Sequence, residues 1–129
     1  MSRHLTKWSL LIVAASTCLA ASPKITFTPS RGPGARAKNP SCAIELFEDT
    51  EPSQKFVQLG FINYHDEWHR TSSGTKFEKA LPLIQKRACE AGADAIMNVQ
   101  VREEKRFEFA FINVRVTAIR FEAPQELKP

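Results

Sequence analysis

No apolar run in the chain is long enough to form a membrane-spanning helix. The longest, from Trp8 to Ala15, falls well short of the roughly 20 residues such a helix needs. Motifs that organise catalysis are lacking too. There is no nucleophile elbow, no phosphate-binding glycine loop and no paired-carboxylate motif, so an enzyme is not expected and no small-molecule substrate is evident. Cysteine is scarce, 3 in 129 residues, and no two are spaced C-x-x-C, which argues against thiol-exchange chemistry. With neither a basic face nor an RNA-binding aromatic motif, nucleic acid is not an expected partner. A chain of 129 residues has room for one small domain built on one core.

What is present begins with "MSRHLTKWSLLIVAASTCLAAS". A basic start (Arg3, Lys7), a short apolar stretch and then small residues form the layout of a secretory signal over residues 1–21. Two cleavage sites compete. "ASTC" resembles a bacterial lipobox, which predicts cleavage before Cys18 and acylation of its thiol, although Thr17 and Ala15 depart from the usual pattern. Leu19 after the cysteine, rather than an aspartate, then points to an outer-membrane lipid anchor facing the periplasm or the surface. The alternative is cleavage after Ala20 or Ala21, leaving a soluble periplasmic or secreted protein.

Removal of Arg3 and Lys7 leaves 16 basic against 14 acidic residues, unevenly placed. Residues 22–40 hold Lys24, Arg31, Arg36 and Lys38 with no acidic residue, and carry four prolines and two glycines. That composition predicts an extended, solvated tether, with attraction to anionic lipid as its functional alternative. From Ser41 onward 12 basic residues face 14 acidic ones, so the tether is basic and the domain slightly acidic.

Hydrophobic periodicity places a compact domain over residues 41–122, with a short tail at 123–129. "CAIELF" and "KFVQLGFINY" are strand candidates expected to pair, with Gly60 marking a bulge or a close approach. Phe77, Leu81, Ile84 and Ala88 lie on one face of a helix whose candidate N-caps are Ser73 and Thr75; Pro82 predicts a kink or a later start. Gly92 suits a left-handed helix cap. Beyond it, Met97, Val99 and Val101 alternate with polar residues, and "REEKR" reads as a charged connection into a last strand. There Ile112, Val114, Val116 and Ala118 oppose Asn113, Arg115 and Thr117. Phe107, Phe109 and Phe111 share the polar parity, which calls for a twist over the sheet's end or an exposed aromatic patch. The expected fold class is α+β, with order β-β-α-β-β and one helix packed on a four-stranded, mainly antiparallel sheet.

The segments "VQLGFI", "ALPLIQKRACEAGADAIMNVQV" and "VTAIRF" resemble a superfamily of small bacterial envelope lipoproteins. That group includes the Rcs stress-sensor lipoprotein and a heavy-metal-binding domain family. The resemblance spans about residues 42–121 and implies an interaction or stress-sensing module of the outer membrane and periplasm, with envelope proteins as partners. The Rcs sensor holds four cysteines in two disulfides within its domain, whereas this chain has only Cys42 and Cys89 there.

Either cleavage leaves Cys42 and Cys89 as the two thiols of an exported domain, and a disulfide between them is expected. His65 and His69, in "YHDEWHR", are the metal candidates. On a helix they would share a face and hold zinc or copper, with Asp66 or Glu67 as an oxygen ligand; on a strand end they are solvated side chains. No other cofactor is expected. Two functional readings follow, a non-catalytic envelope lipoprotein and, as the alternative, a periplasmic metal-binding protein.

Overall fold

The computed structural model describes residues 23–72 and 74–123. The expected signal, Cys18, the candidate cap Ser73 and most of the C-terminal tail lie outside them. Six elements follow one another: β1 (Lys24–Pro29), β2 (Glu45–Leu46), β3 (Phe56–His69), α1 (Phe77–Glu90), β4 (Ala95–Arg106) and β5 (Phe109–Phe121). The class is α+β, one helix on a sheet. The sheet has five strands in the order β1-β3-β5-β4-β2 and is mixed, because β2 runs parallel to β4 while every other pair is antiparallel. Both β3 and β4 run antiparallel to β5, which lies between them, so α1 bridges two parallel strands separated by a third.

Burial explains the central place of β5. Ile112, Val114, Val116 and Ala118 all point to the helix side and are buried, and β5 is paired with β3 from Phe109 to Phe121 and with β4 from Phe109 to Ile119. Against this stripe α1 sets Ala80, Ile84 and Ala88, with Phe77 and Leu81 half-buried beside them. Small residues on the helix face let it lie close to the branched residues of the sheet. The helix starts at Phe77 and continues through Pro82. Lys76 occupies the N-cap without a side-chain hydrogen bond, and the Thr75 hydroxyl instead donates to the Asp66 carboxylate.

The helix ends as its sequence requires. Gly92 has φ +81°, its N–H donates to the Cys89 carbonyl at 2.9 Å, and the Ala93 N–H donates to Ala88 at 2.9 Å. These two bonds make a Schellman cap. The chain before β2 wraps over it so closely that a Cβ on Gly92 would lie 2.5 Å from the Arg36 carbonyl.

Several strand expectations are corrected. Lys24–Pro29, within the expected tether, is the edge strand β1, paired with β3 from Lys24↔His65 to Pro29↔Gly60. "CAIELF" contributes only the two residues of β2, and these pair with β4, not with β3. "REEKR" is not a connection but the outer half of β4; with β2 pairing only Ala95 and Ile96, its charges guard an otherwise open edge. Asn98, at φ +51°, sits in a register shift between Met97 and Gln100. That bulge reverses the parity of β4. Met97 therefore joins Ala95 and Ile119 in a second apolar cluster with Phe47, Phe56 and Phe121, while Val99 packs with the helix-side core. At Gly60 both expected reasons hold: the register shifts between Gln58 and Gly60, and a Cβ there would lie 2.3 Å from the Thr28 carbonyl.

Candidate functional site

The helix covers one face of the sheet; the other face lies open between two apolar ends. Directly paired residues on neighbouring strands share a face, so the register builds the open face rung by rung. One rung reads Lys24, His65, Asn113, Arg102, and the next Thr26, Asn63, Arg115, Gln100. Strands lie about 4.8 Å apart and successive same-face residues about 6.8 Å apart, which brings these side chains into one shallow groove of about 450 Å³. Three cations line it with amides and a hydroxyl, and no carboxylate does.

Local contacts hold those groups in place. The Arg115 guanidinium lies 4.4 Å from the centre of the Phe61 ring, a stacking that fixes the plane of its donors. His65 Nδ1 lies 2.5 Å from the Asn113 amide oxygen. That oxygen only accepts, so Nδ1 carries the proton and Nε2 is left for another partner. Arg102 pairs with Glu104, which also takes Arg106 at 3.1 Å. Lys24 and Arg115 have no carboxylate partner among the described residues.

Above the groove the face becomes aromatic. Phe111 tilts against His65 with centres 5.7 Å apart, and Phe109 meets His69 edge-on at 5.9 Å. Phe107 is 94% exposed and Phe109 50%, while Phe111 is half-buried, so the exposed aromatic patch is confined to the hairpin end.

The metal candidates are not brought together. His65 and His69 both lie on β3, where a spacing of four residues separates them by about 13 Å, against the one-turn rise a helix would have given. Each has its own neighbour, Asn113 for His65 and the Thr71 hydroxyl at 2.7 Å for His69. Asp66 belongs to the helix-side parity, opposite Ile112. Among the described residues no group of three His, Cys, Asp or Glu gathers as a metal site.

Cys42 and Cys89 form the expected disulfide, with Cα atoms 5.8 Å apart. It ties the segment before β2 to the last turn of α1. Lys38 reinforces the same junction: its N–H donates to the Cys89 carbonyl at 2.8 Å, its ammonium donates to the Ala93 carbonyl at 3.0 Å and pairs with Asp94. A cation here also suits the negative end of the helix dipole. Burial pushes the Asp94 carboxyl up, but the Lys38 hydrogen bond, the Phe121 N–H at 2.8 Å and the charges of Lys38 and Arg120 outweigh it, holding the group below the usual carboxylate range. Burial, aided by the charge of Asp66, pushes the Tyr64 phenol up.

No protein-family model matches the chain, and no curated protein matches it significantly. Among solved structures the chain is similar to a Francisella virulence factor, FvfA, determined in an orthorhombic crystal form. The identity is 19%, the TM-score 0.53, and the match covers 75% of this chain and 97% of that one. This likeness concerns the fold. Among the described residues no helix is long and apolar enough to cross a membrane.

The β5 part of the groove is visible in the sequence, since Asn113 and Arg115 stand opposite the apolar stripe of β5. Lys24 and Thr26 escape such a reading, because the prolines around them suggest a spacer. The signal is nevertheless there: in "KITFT" Ile25 and Phe27 alternate with Lys24, Thr26 and Thr28, the period of a half-buried strand.

Proposed function

We propose that the protein is a non-catalytic, lipid-anchored module of the bacterial cell envelope, held at the outer membrane by an acylated Cys18. It acts in an interaction or stress-sensing role by binding an acidic segment of another envelope protein on its open sheet face. The observation that carries this reading is the groove on that face, where Lys24 and Arg115 have no carboxylate partner among the described residues and Arg102 is paired with Glu104 at the rim, in a domain that is otherwise slightly acidic. Unpaired charges of one sign gathered in a groove steer and select an oppositely charged partner. The signal-like N-terminus, the Cys42–Cys89 disulfide and the resemblance to envelope lipoproteins support the location. With His65 and His69 apart, nothing favours the metal-binding alternative.

A photo-reactive residue in place of Gln100, which lines the groove, tests the reading in intact cells. It should form a discrete protein adduct that Arg115→Glu abolishes. The same residue in place of Lys79, exposed on the helix, should form none. An adduct indifferent to Arg115→Glu, or equal adducts at both sites, would overturn the groove as the binding surface.

A further inference from the structure

The hairpin joining β4 to β5 turns through only Phe107 and Glu108, between the paired residues Arg106 and Phe109. The first of these positions needs the left-handed backbone region that two-residue hairpins normally reserve for glycine, asparagine or aspartate. Phe107 adopts it, with φ +48°, an unfavourable conformation for a bulky residue. Its ring gains nothing from the domain in return, being 94% exposed. The tip is also braced: Arg70 donates its guanidinium N–H to the Phe107 carbonyl at 2.9 Å and its backbone N–H to the Glu108 carbonyl at 2.7 Å. A strained backbone, braced by two hydrogen bonds and presenting a fully exposed aromatic side chain, marks a contact made with something outside the domain.

The register indicates what that contact is. β1 begins at Lys24, opposite His65, and His69 lies opposite Phe109, so the start of β1 and the hairpin tip lie at the same end of the sheet. Along the strands Lys24 is about 13 Å below the last rung, and the turn adds about one residue more. Cys18 precedes Lys24 by six residues, which span at most about 20 Å. A bilayer holding a lipid on Cys18 is therefore within reach of Phe107, whereas the Phe47, Phe56 and Phe121 cluster lies at the far end of the sheet.

We propose that Phe107, with Phe109 behind it, inserts into the interface of the bilayer that anchors Cys18, standing the strands upright and turning the polar groove sideways toward the periplasm. The proposal rests on acylation of Cys18. Arg70, Lys105 and Arg106 are exposed beside the tip, and side chains of this kind can lay their stems on an apolar surface while their charges stay in water. Glu67, Glu108 and Glu104 balance them, so insertion is apolar in character and insensitive to salt. The anchor supplies the affinity through local concentration, and the tip supplies the orientation.

The test uses protein purified from membranes and reconstituted in vesicles of phosphatidylethanolamine and phosphatidylglycerol. Intact mass comes first: an unacylated Cys18 would overturn the anchored reading and this proposal with it. With the lipid present, Phe107→Trp should fluoresce at shorter wavelength than in the soluble domain. Brominated acyl chains should quench it and vesicles should protect it several-fold from aqueous acrylamide, at low and high salt alike. Lys55→Trp, at the far end of the sheet, should stay water-quenched. An acylated Phe107→Trp protein whose added indole stays in an aqueous environment overturns the tip contact alone, and equal lipid quenching at both positions overturns the upright orientation. As a second check, Phe107→Gly should not lower the melting temperature of the soluble domain; a clear fall would show that the ring serves the fold and would remove the argument.

Discussion

Asp94 shows how one side chain can hold three elements together. It follows the helix cap, pairs with Lys38 from the wrapping segment and accepts the backbone N–H of Phe121 at the end of β5. Because its folded-state pKa is depressed, ionised Asp94 favours folding. That contribution is fully present above the unfolded carboxylate value of about 3.9 and is lost as pH falls through the lower folded value. Asp94→Asn should therefore destabilise the domain by about 1.5–3 kcal/mol at neutral pH, the usual range for a hydrogen bond to a charged group. Chemical unfolding across pH should show the gap between variant and parent closing below about pH 3.9. A gap constant down to about pH 2, the lower end of a practical acid titration, would mean that packing and not charge accounts for the loss.

Among the elements, β1 has the most instructive attachment. It is an edge strand protected by Lys24 at its start and Pro29 at its end, both of which discourage further pairing. Its inner face sends Ile25 and Phe27 toward the helix-side core, where Arg87 lies 5.3 Å from the Phe27 ring centre. Gly60 permits the close approach, since a Cβ there would lie 2.3 Å from the Thr28 carbonyl and 2.8 Å from the Phe27 ring. Gly60→Ala should cost about 1–3 kcal/mol, as overpacking generally does. Hydrogen exchange should quicken at the β1 amides and leave those of β5 near their original rates. Unchanged exchange in β1 would show that the edge accommodates the methyl group.

What can be read in the sequence is local; what cannot is set at long range. The helix and its Gly92 cap follow from spacing and from one residue's backbone freedom, and the β4–β5 hairpin follows from two adjacent runs. β2 is only two residues long and owes its existence to a parallel partner at Ala95 and Ile96, far along the chain, which no local pattern encodes. The bulge at Asn98 inverts the faces of Met97 and Val99; Asn is the residue type that hints at it, being among those that tolerate positive φ. The groove needs β1, β3, β5 and β4 in register, so only its β5 portion is legible. Spacing suggests a histidine pair because it matches a helix, but the β-branched and aromatic surroundings make a strand, and the same spacing then separates the two rings.

At the scale of the whole molecule, a two-layer domain with one sheet face left open buries less than a sandwich would and benefits from a covalent staple. The disulfide closes a span of 47 residues, which should stabilise the folded state by about 3–4 kcal/mol, chiefly by restricting the unfolded chain. For a domain of this size the double variant Cys42→Ala with Cys89→Ala should therefore melt roughly 12–30 °C lower than the parent. The loss should be localised when the variant is still folded. Lys38 and the segment around Ala35 and Arg36 depend on the helix end for their contacts, so their amides should exchange faster. The groove is built on the opposite face by strand pairing alone, so the Gln100 adduct should survive. Non-reducing peptide mapping of the parent should recover a single peptide linking the two cysteines, and two alkylatable thiols in freshly purified protein would remove the bridge. If the groove adduct vanished from a variant whose β3, β4 and β5 amides remained protected, the two faces would be coupled through α1, and the disulfide would be part of the binding mechanism as well as of the fold.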